Sequence, residues 1–223
     1  MILKQPDIRW QSYFSRVREC VHQLLVWGYE DIKSKVTPEN EEEDITGWLT
    51  HAIELRLNDE NTPPEYEHYY IAEETPVPHF ISSGKSRKRI DIVISNSQTK
   101  PRPKFCFEAK RLKKGSHTIS KYTGDGGMQC FLKCEYAVEQ SEAGMLGYIQ
   151  DLSPDHWFRQ LKKMFDNSKE DPTLNIVQPL KKVQILKDLP HEWESKHTRL
   201  DGSHLDLLHV FLDFRATIVS ADV

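Results

Sequence analysis

Three charged residues stand inside two short apolar runs of this 223-residue chain. Arg89-Ile90-Asp91-Ile92-Val93-Ile94 carries one carboxylate, and Phe105-Cys106-Phe107-Glu108-Ala109-Lys110 carries a second carboxylate and an ammonium. Both runs have the β-branched and aromatic content of strands, and a half-buried strand rarely holds charge without a use for it. Side chains alternate faces along a strand, so Glu108 and Lys110 project together while Ala109 points the other way. If the two runs pair, Asp91 joins them. Two carboxylates can hold Mg²⁺ or Mn²⁺ through hard oxygens and leave room for water and a phosphate oxygen. With an ammonium beside them, they suit hydrolysis of a phosphodiester.

The triplet of an acid, any residue and Lys is common. It also occurs at Asp31-Ile32-Lys33 and Glu194-Ser195-Lys196. The first belongs to a helical pattern and the last to a polar one. Only the copy at Glu108 lies in an apolar run preceded by a strand-like run bearing Asp. The ordinary alternative is a buried ion pair of Lys110 with Asp91 or Glu108, which adds little net stability because desolvation offsets attraction.

The formal net charge of −4 argues against a uniformly basic nucleic-acid binder. The charge is uneven, however. Between Lys85 and Lys114 there are eleven bases and two acids, Asp91 and Glu108. A basic stripe around two carboxylates suits a polyanion held over a metal; Lys/Arg-rich hairpin ends that merely aid solubility are the bland alternative. Lys88, Arg89, Arg111, Lys113, Lys114, Lys121 and Gln129 are the expected nucleic-acid contacts. No aromatic-studded stripe of the kind that stacks single-stranded bases is evident.

The elements that must position these residues follow in order. A helix is expected over 7–35, with Trp10, Phe14, Val17, Val21, Leu24 and Leu25 inward. Cys20 and His22 read as packing or surface residues. A second helix is expected over 41–58, with Ile45, Trp48, Leu49, Ala52 and Ile53 on its apolar face. Glu41, Glu42, Glu43 and Asp44 crowd its first turn, where acids favour the helix dipole. Glu42 shares a face with Ile45 and Leu49, and Glu41 is its close competitor.

Strands are expected at 68–72, 88–95 and 104–110, a turn at 82–85, and a loop at 96–103. The Gly-rich stretch 124–127 opens onto a helix expected over 128–139. Backbone N–H groups there could meet a phosphate, although a tight turn is the commoner reading. Cys130 and Cys134 read as core thiols without the partners of a zinc site. A buried strand over 143–149 holds glycines that suggest a close backbone neighbour. A helix over 154–167, a loop over 167–179 and strands at 183–186 and 207–214 complete the chain. His197 and Arg199 read as surface loop residues rather than nucleic-acid ligands.

Length and composition suit one soluble domain. It divides into an N-terminal helix (7–35), a core (about 41–150) and a C-terminal extension (151–223). Four irregularly placed cysteines read as reduced thiols. No apolar run of ~18–20 residues and no signal layout is present. The expected location is cytoplasmic, with no membrane partner.

The core order of helix, three strands, helix and strand, with an acid opening the helix, Asp91 on the second strand and Glu108-x-Lys110 on the third, resembles the PD-(D/E)xK nuclease superfamily. Ile90 stands where that superfamily often has Pro. The resemblance implies an α/β restriction-endonuclease-like fold: a mixed central sheet with an αβββαβ core flanked by helices. It implies an Mg²⁺-dependent endonuclease, with Mn²⁺ as a substitute, acting on DNA, RNA being open. Asp91, Glu108, the Ala109 carbonyl and Glu42 would hold the metal. Lys110 would orient or help deprotonate the attacking water, or stabilise charge on phosphorus. Gln129 and Tyr136 would reach the site. Restriction, repair and phage defence are the settings known for such proteins. A homodimer or a partner protein of a defence or repair system is the expected association. Two alternatives stay open: a catalytically silent binding or regulatory subunit, and a nuclease active only with a partner.

Overall fold

The computed structural model describes residues 8–76, 88–115, 117–136, 141–168 and 173–215, with side chains from residue 11 onward. The turn expected at 82–85, the bases Lys85 and Arg87, the side chain of Trp10 and residues 137–139 of the expected helix lie outside the described residues. Seven strands form one mixed sheet: β1 (Tyr69–Pro76), β2 (Arg89–Asn96), β3 (Lys104–Leu112), β4 (Glu142–Ile149), β5 (Ile176–Lys182), β6 (Glu192–Thr198) and β7 (His204–Asp213). The helices are α1 (Ile8–Ile32), α2 (Glu42–Leu57), α3 (Ile119–Thr123), α4 (Met128–Leu132) and α5 (Pro154–Asn167).

The order across the sheet is β1-β2-β3-β4-β7-β6-β5. The first three strands are an antiparallel meander. The β3–β4 and β4–β7 pairs are parallel, and β7, β6 and β5 are again antiparallel. Among the described residues no helix is long and apolar enough to cross a membrane.

Each face of the sheet buries its own apolar layer. On one, Val17, Val21, Leu24 and Leu25 of α1 and Ile45, Leu49 and Ile53 of α2 cover Phe105, Phe107 and Ala109 of β3. The helical residues recur every three or four positions, which makes each stripe. Phe14 stacks on Phe105, with centroids 5.1 Å apart. On the other face, Phe131 of α4 and Trp157, Leu161 and Phe165 of α5 pack with Cys106, Leu112 and Met145. Fully burying one such side chain contributes about 1.5–3 kcal/mol. Alternation along β3 thus turns Ala109 toward the α1–α2 layer and Glu108 to the other side.

β4 runs between parallel neighbours and is buried along its whole length, as expected of a strand covered on both faces. Its glycines accommodate aromatic rings rather than another backbone. A Cβ at Gly144 would lie 2.2 Å from the Phe107 ring, and one at Gly147 would lie 2.6 Å from the Phe211 ring.

The differences from expectation are local, save at the C-terminal end. Trp48, expected inward, is 39% exposed, because the buried stripe of α2 passes through Ile45, Leu49 and Ile53 instead. α4 stops at Leu132, and Cys134 just beyond has a positive φ of 57°. The short α3 directly precedes the Gly-rich stretch, where no element is expected from sequence. β5 lies at 176–182, not 183–186, so part of the expected loop is strand.

β6 covers 192–198, which reads as a polar connection in sequence. Its polar side chains are buried because they satisfy one another. The Glu192 carboxylate lies 2.6 Å from His22 Nδ1. His197 Nδ1 donates to Leu174 O at 2.7 Å, so His197 Nε2 accepts from Ser195 Oγ at 2.7 Å. Ser195 Oγ accepts from His209 Nε2 at 2.8 Å, and His209 Nδ1 accepts from the Tyr122 hydroxyl at 3.0 Å. His197 is therefore an interior residue, not a loop residue, and Arg199 is only 8% exposed.

Burial pushes the His197 and His209 imidazoles down to about 4 and about 3. The unfolded chain therefore binds more protons than the folded one below the ordinary His value near ~6.5. Stability present above that value is lost as pH falls toward the folded values, by about 1.4 kcal/mol per pH unit per histidine. The stability that urea unfolding gives the wild type relative to His209→Gln should therefore fall as pH is lowered from 7 to 4, and a difference independent of pH would contradict this.

Candidate active site

β2 and β3 part where the charged residues begin. Their last paired residues are Ile92 and Phe107, and one step beyond lie Asp91 and Glu108. There the Ala109 N–H donates to Asp91 Oδ2 at 2.7 Å, so a side chain takes over from the strand ladder. Glu108 is 4% exposed. Its Oε2 accepts from the Tyr136 hydroxyl at 2.6 Å, and its Oε1 lies 2.9 Å from Lys110 Nζ. Lys110 Nζ also donates to Glu42 Oε1 at 2.7 Å and to Ala109 O at 2.6 Å.

Glu42 is the first residue of α2, and the Arg111 N–H donates to its other oxygen at 2.9 Å. Two consecutive residues of β3 thus hold Glu42. Its neighbour Glu41 turns aside to pair with the Arg111 guanidinium. Glu43 lines the cleft above.

Burial raises the Glu108 carboxyl to about 7, with the Asp91 charge adding to it and Lys110 and Tyr136 opposing. Burial likewise raises Asp91 to about 6, against Lys110 and the Ala109 N–H. For Lys110, burial works to lower the pKa, but Glu108, Glu42 and Asp91 outweigh it and raise it. Lys110 is therefore a cation, and Glu108 is the group poised near neutrality.

Glu42, Glu108 and Ala109 present three hard oxygens to one positive charge. That donor set, with the Asp91 carboxylate adjacent, fits Mg²⁺ or Mn²⁺. Among the described residues no group of three or more His, Cys, Asp or Glu side chains stands arranged as a metal site. Around Glu42 and Glu108 the ammonium lies between the acids, so a dication would need Lys110 to turn aside.

A cleft of about 450 Å³ opens over Glu42 and Lys110. Gly124 and Gly126 of the Gly-rich turn, Ser120, Lys121 and His117 form its far wall. No contact of the Gln129 side chain reaches the acids, whereas Tyr136 does. Sequence spacing carried no signal for Arg111 and His117 as wall residues: Arg111 Nη2 lies 2.9 Å from His117 Nε2.

The basic window is divided by the fold. Lys100, Arg102 and Lys104 lie at the opposite end of β2 and β3, about 20 Å from Lys110 at the rise of a strand. Arg111, expected to contact nucleic acid, is 6% exposed and donates to Asn40 O and Glu41. It is a wall of the cleft rather than a free phosphate ligand. Lys88 pairs with Glu135 at 2.6 Å, Arg89 pairs with Glu74 at 2.8 Å, and Lys113 donates to Pro38 O. Lys114 and Lys121 remain exposed beside the cleft.

The Gly-rich wall depends on close backbone approach. A Cβ at Gly127 would lie 2.2 Å from Tyr122 O, whereas nothing lies within 4 Å of one at Gly126. Gly127→Ala should therefore cost about 1–3 kcal/mol in denaturant unfolding, and Gly126→Ala should change stability by less than about 0.5 kcal/mol. No family model, curated protein or solved structure compared with this chain matches it.

Proposed function

We propose that the chain is a metal-dependent endonuclease of the PD-(D/E)xK type that hydrolyses phosphodiester bonds of DNA. The observation that carries this reading is the meeting of Asp91, Glu108, Lys110 and Glu42 at the end of β3, with Glu42 and Lys110 lining the cleft. The order of α2, the antiparallel β1–β2–β3 meander, α3 and α4, and then β4 parallel to β3 supports a restriction-endonuclease-like core. By analogy with that superfamily, restriction or phage defence would be the setting.

Asp91, Glu108, Glu42 and the Ala109 carbonyl are the groups that would hold the divalent ion. When bound, that ion supplies Lewis acidity toward the scissile phosphate and its attacking water. Its charge would keep the Glu108 carboxyl ionised, reversing the effect of burial. Lys110, held as a cation, donates hydrogen bonds and offsets the negative charge that builds on phosphorus. Tyr136 fixes the rotamer of Glu108, and the Ala109 N–H fixes that of Asp91.

Incubation of supercoiled plasmid with the protein and Mg²⁺ or Mn²⁺ should give nicked and linear products. Glu108→Ala and Lys110→Ala should each slow this by about 10²-fold or more; equal cleavage by wild type and both variants would remove these residues from the mechanism. In a separate measurement, Mn²⁺ at a hundredfold excess over its Kd should raise the wild-type Tm by roughly 5–10 °C. Asp91→Asn should lose most of that gain, and an identical gain in the variant would place the ion elsewhere.

A further inference from the structure

A second cleft, of about 560 Å³, lies beside the first and shares Ser120 with it. The two clefts differ in charge. The first is lined by Glu41, Glu42, Glu43 and Asp125 against Lys110, Arg111 and Lys121. The Arg111 guanidinium is already paired with Glu41. Its four acids against three bases leave that cleft without a net positive charge to hold a polyanion. Among the described residues the second is lined by Lys114 and Lys163 and by no carboxylate. A strand drawn toward the acids would therefore find its cationic hold next door.

The lining of the second cleft has more than charge. Gln160, Lys163, Met164 and Asn167 recur at i, i+3, i+4 and i+7 along α5, so one stripe of that helix faces the cleft. Ile119 and Trp157 are buried beneath it. An apolar floor with two amides and two ammonium groups at its rim matches a nucleobase and its phosphate. Amides can both donate to and accept from a base edge, and lysines meet phosphate oxygens. The volume lies within the range of small-molecule pockets. A base stacked in a duplex cannot enter such a pocket until it leaves the stack.

We infer that this second cleft receives one unpaired nucleotide of the substrate strand next to the scissile phosphate. The inference rests on the nuclease reading for the word substrate, but the binding itself does not need cleavage. It differs from a track of stacked bases, because the apolar lining is Ile119, Leu152, Met164 and Trp157, and the one ring among these four is buried.

The test is fluorescence anisotropy in EDTA, with a fluorescein-labelled 12-nucleotide single strand and the blunt 12-base-pair duplex of the same sequence as probes. The single strand should bind about tenfold or more tightly than the duplex. Lys163→Glu should weaken single-strand binding by about tenfold. Met164→Arg is the decisive variant, because it adds positive charge while filling the floor. It should weaken the single strand by about tenfold and leave the duplex within about twofold. Gln160→Trp fills the same space from an exposed position and should act alike if Met164→Arg fails to fold. Equal binding of the two probes, tighter binding by Met164→Arg, or unchanged binding by Gln160→Trp would overturn the inference. Failure of the nuclease reading would show differently, as absent plasmid cleavage with this binding pattern intact.

Discussion

One ammonium group holds the candidate site in shape. Lys110 Nζ lies within 2.9 Å of Glu108 Oε1, Glu42 Oε1 and Ala109 O. Removing a charge of this kind from water costs several kcal/mol unless partners compensate. The fold supplies those partners from separate elements, each anchored by its own core. β3 is wedged between β2 and the wholly buried β4. α2 is pressed on the sheet through Ile45, Leu49 and Ile53, which brings its first residue to the end of β3. Tyr136 reaches Glu108 from the opposite apolar layer. Loss of any one partner would leave a buried charge uncompensated, so the cluster is coupled to the packing on both faces of the sheet.

The same arrangement sets the protonation of the acids. Glu108 and Asp91 are raised by burial to about 7 and about 6, although a lysine stands beside them. The site thus favours added positive charge: a proton or a metal would relieve the same repulsion. Among the described residues, the cleft over Lys110 is lined by four carboxylates, three of them in ion pairs, and the neighbouring cleft by lysines. On the proposed reading the two clefts divide the work, the first holding the ion and the reacting phosphate, the second holding the strand.

Much of this was legible in the sequence, and the physical reason is clear in each case. The Asp91 and Glu108-x-Lys110 runs stand out because charge interrupts strongly β-prone segments, and strand alternation alone puts Glu108 and Lys110 on one side. Glu42 emerged from helical spacing, since it shares the face of Ile45 and Leu49. The basic window was misleading because proximity in sequence is not proximity along a hairpin: Lys104 and Lys110 sit at opposite ends of one strand. β6 was hidden for another reason. Glu192, Ser195 and His197 read as solvated, and their burial is made tolerable by partners on other segments: His22, His209 and the Leu174 carbonyl. Trp48 shows the limit of a helical stripe, which fixes a face but not its edges.

The central claim is that Asp91 and Glu108 share one divalent ion, displacing Lys110 from between Glu42 and Glu108. A crystal of the wild-type protein soaked in Mn²⁺, with anomalous diffraction recorded at the manganese edge, tests it directly. The account predicts one anomalous peak at about 2.1 Å from carboxylate oxygens of both residues, with Lys110 Nζ turned aside from Glu42 and Glu108. Clear density for all these side chains, with Lys110 still bridging the acids and manganese bound only elsewhere, would contradict it.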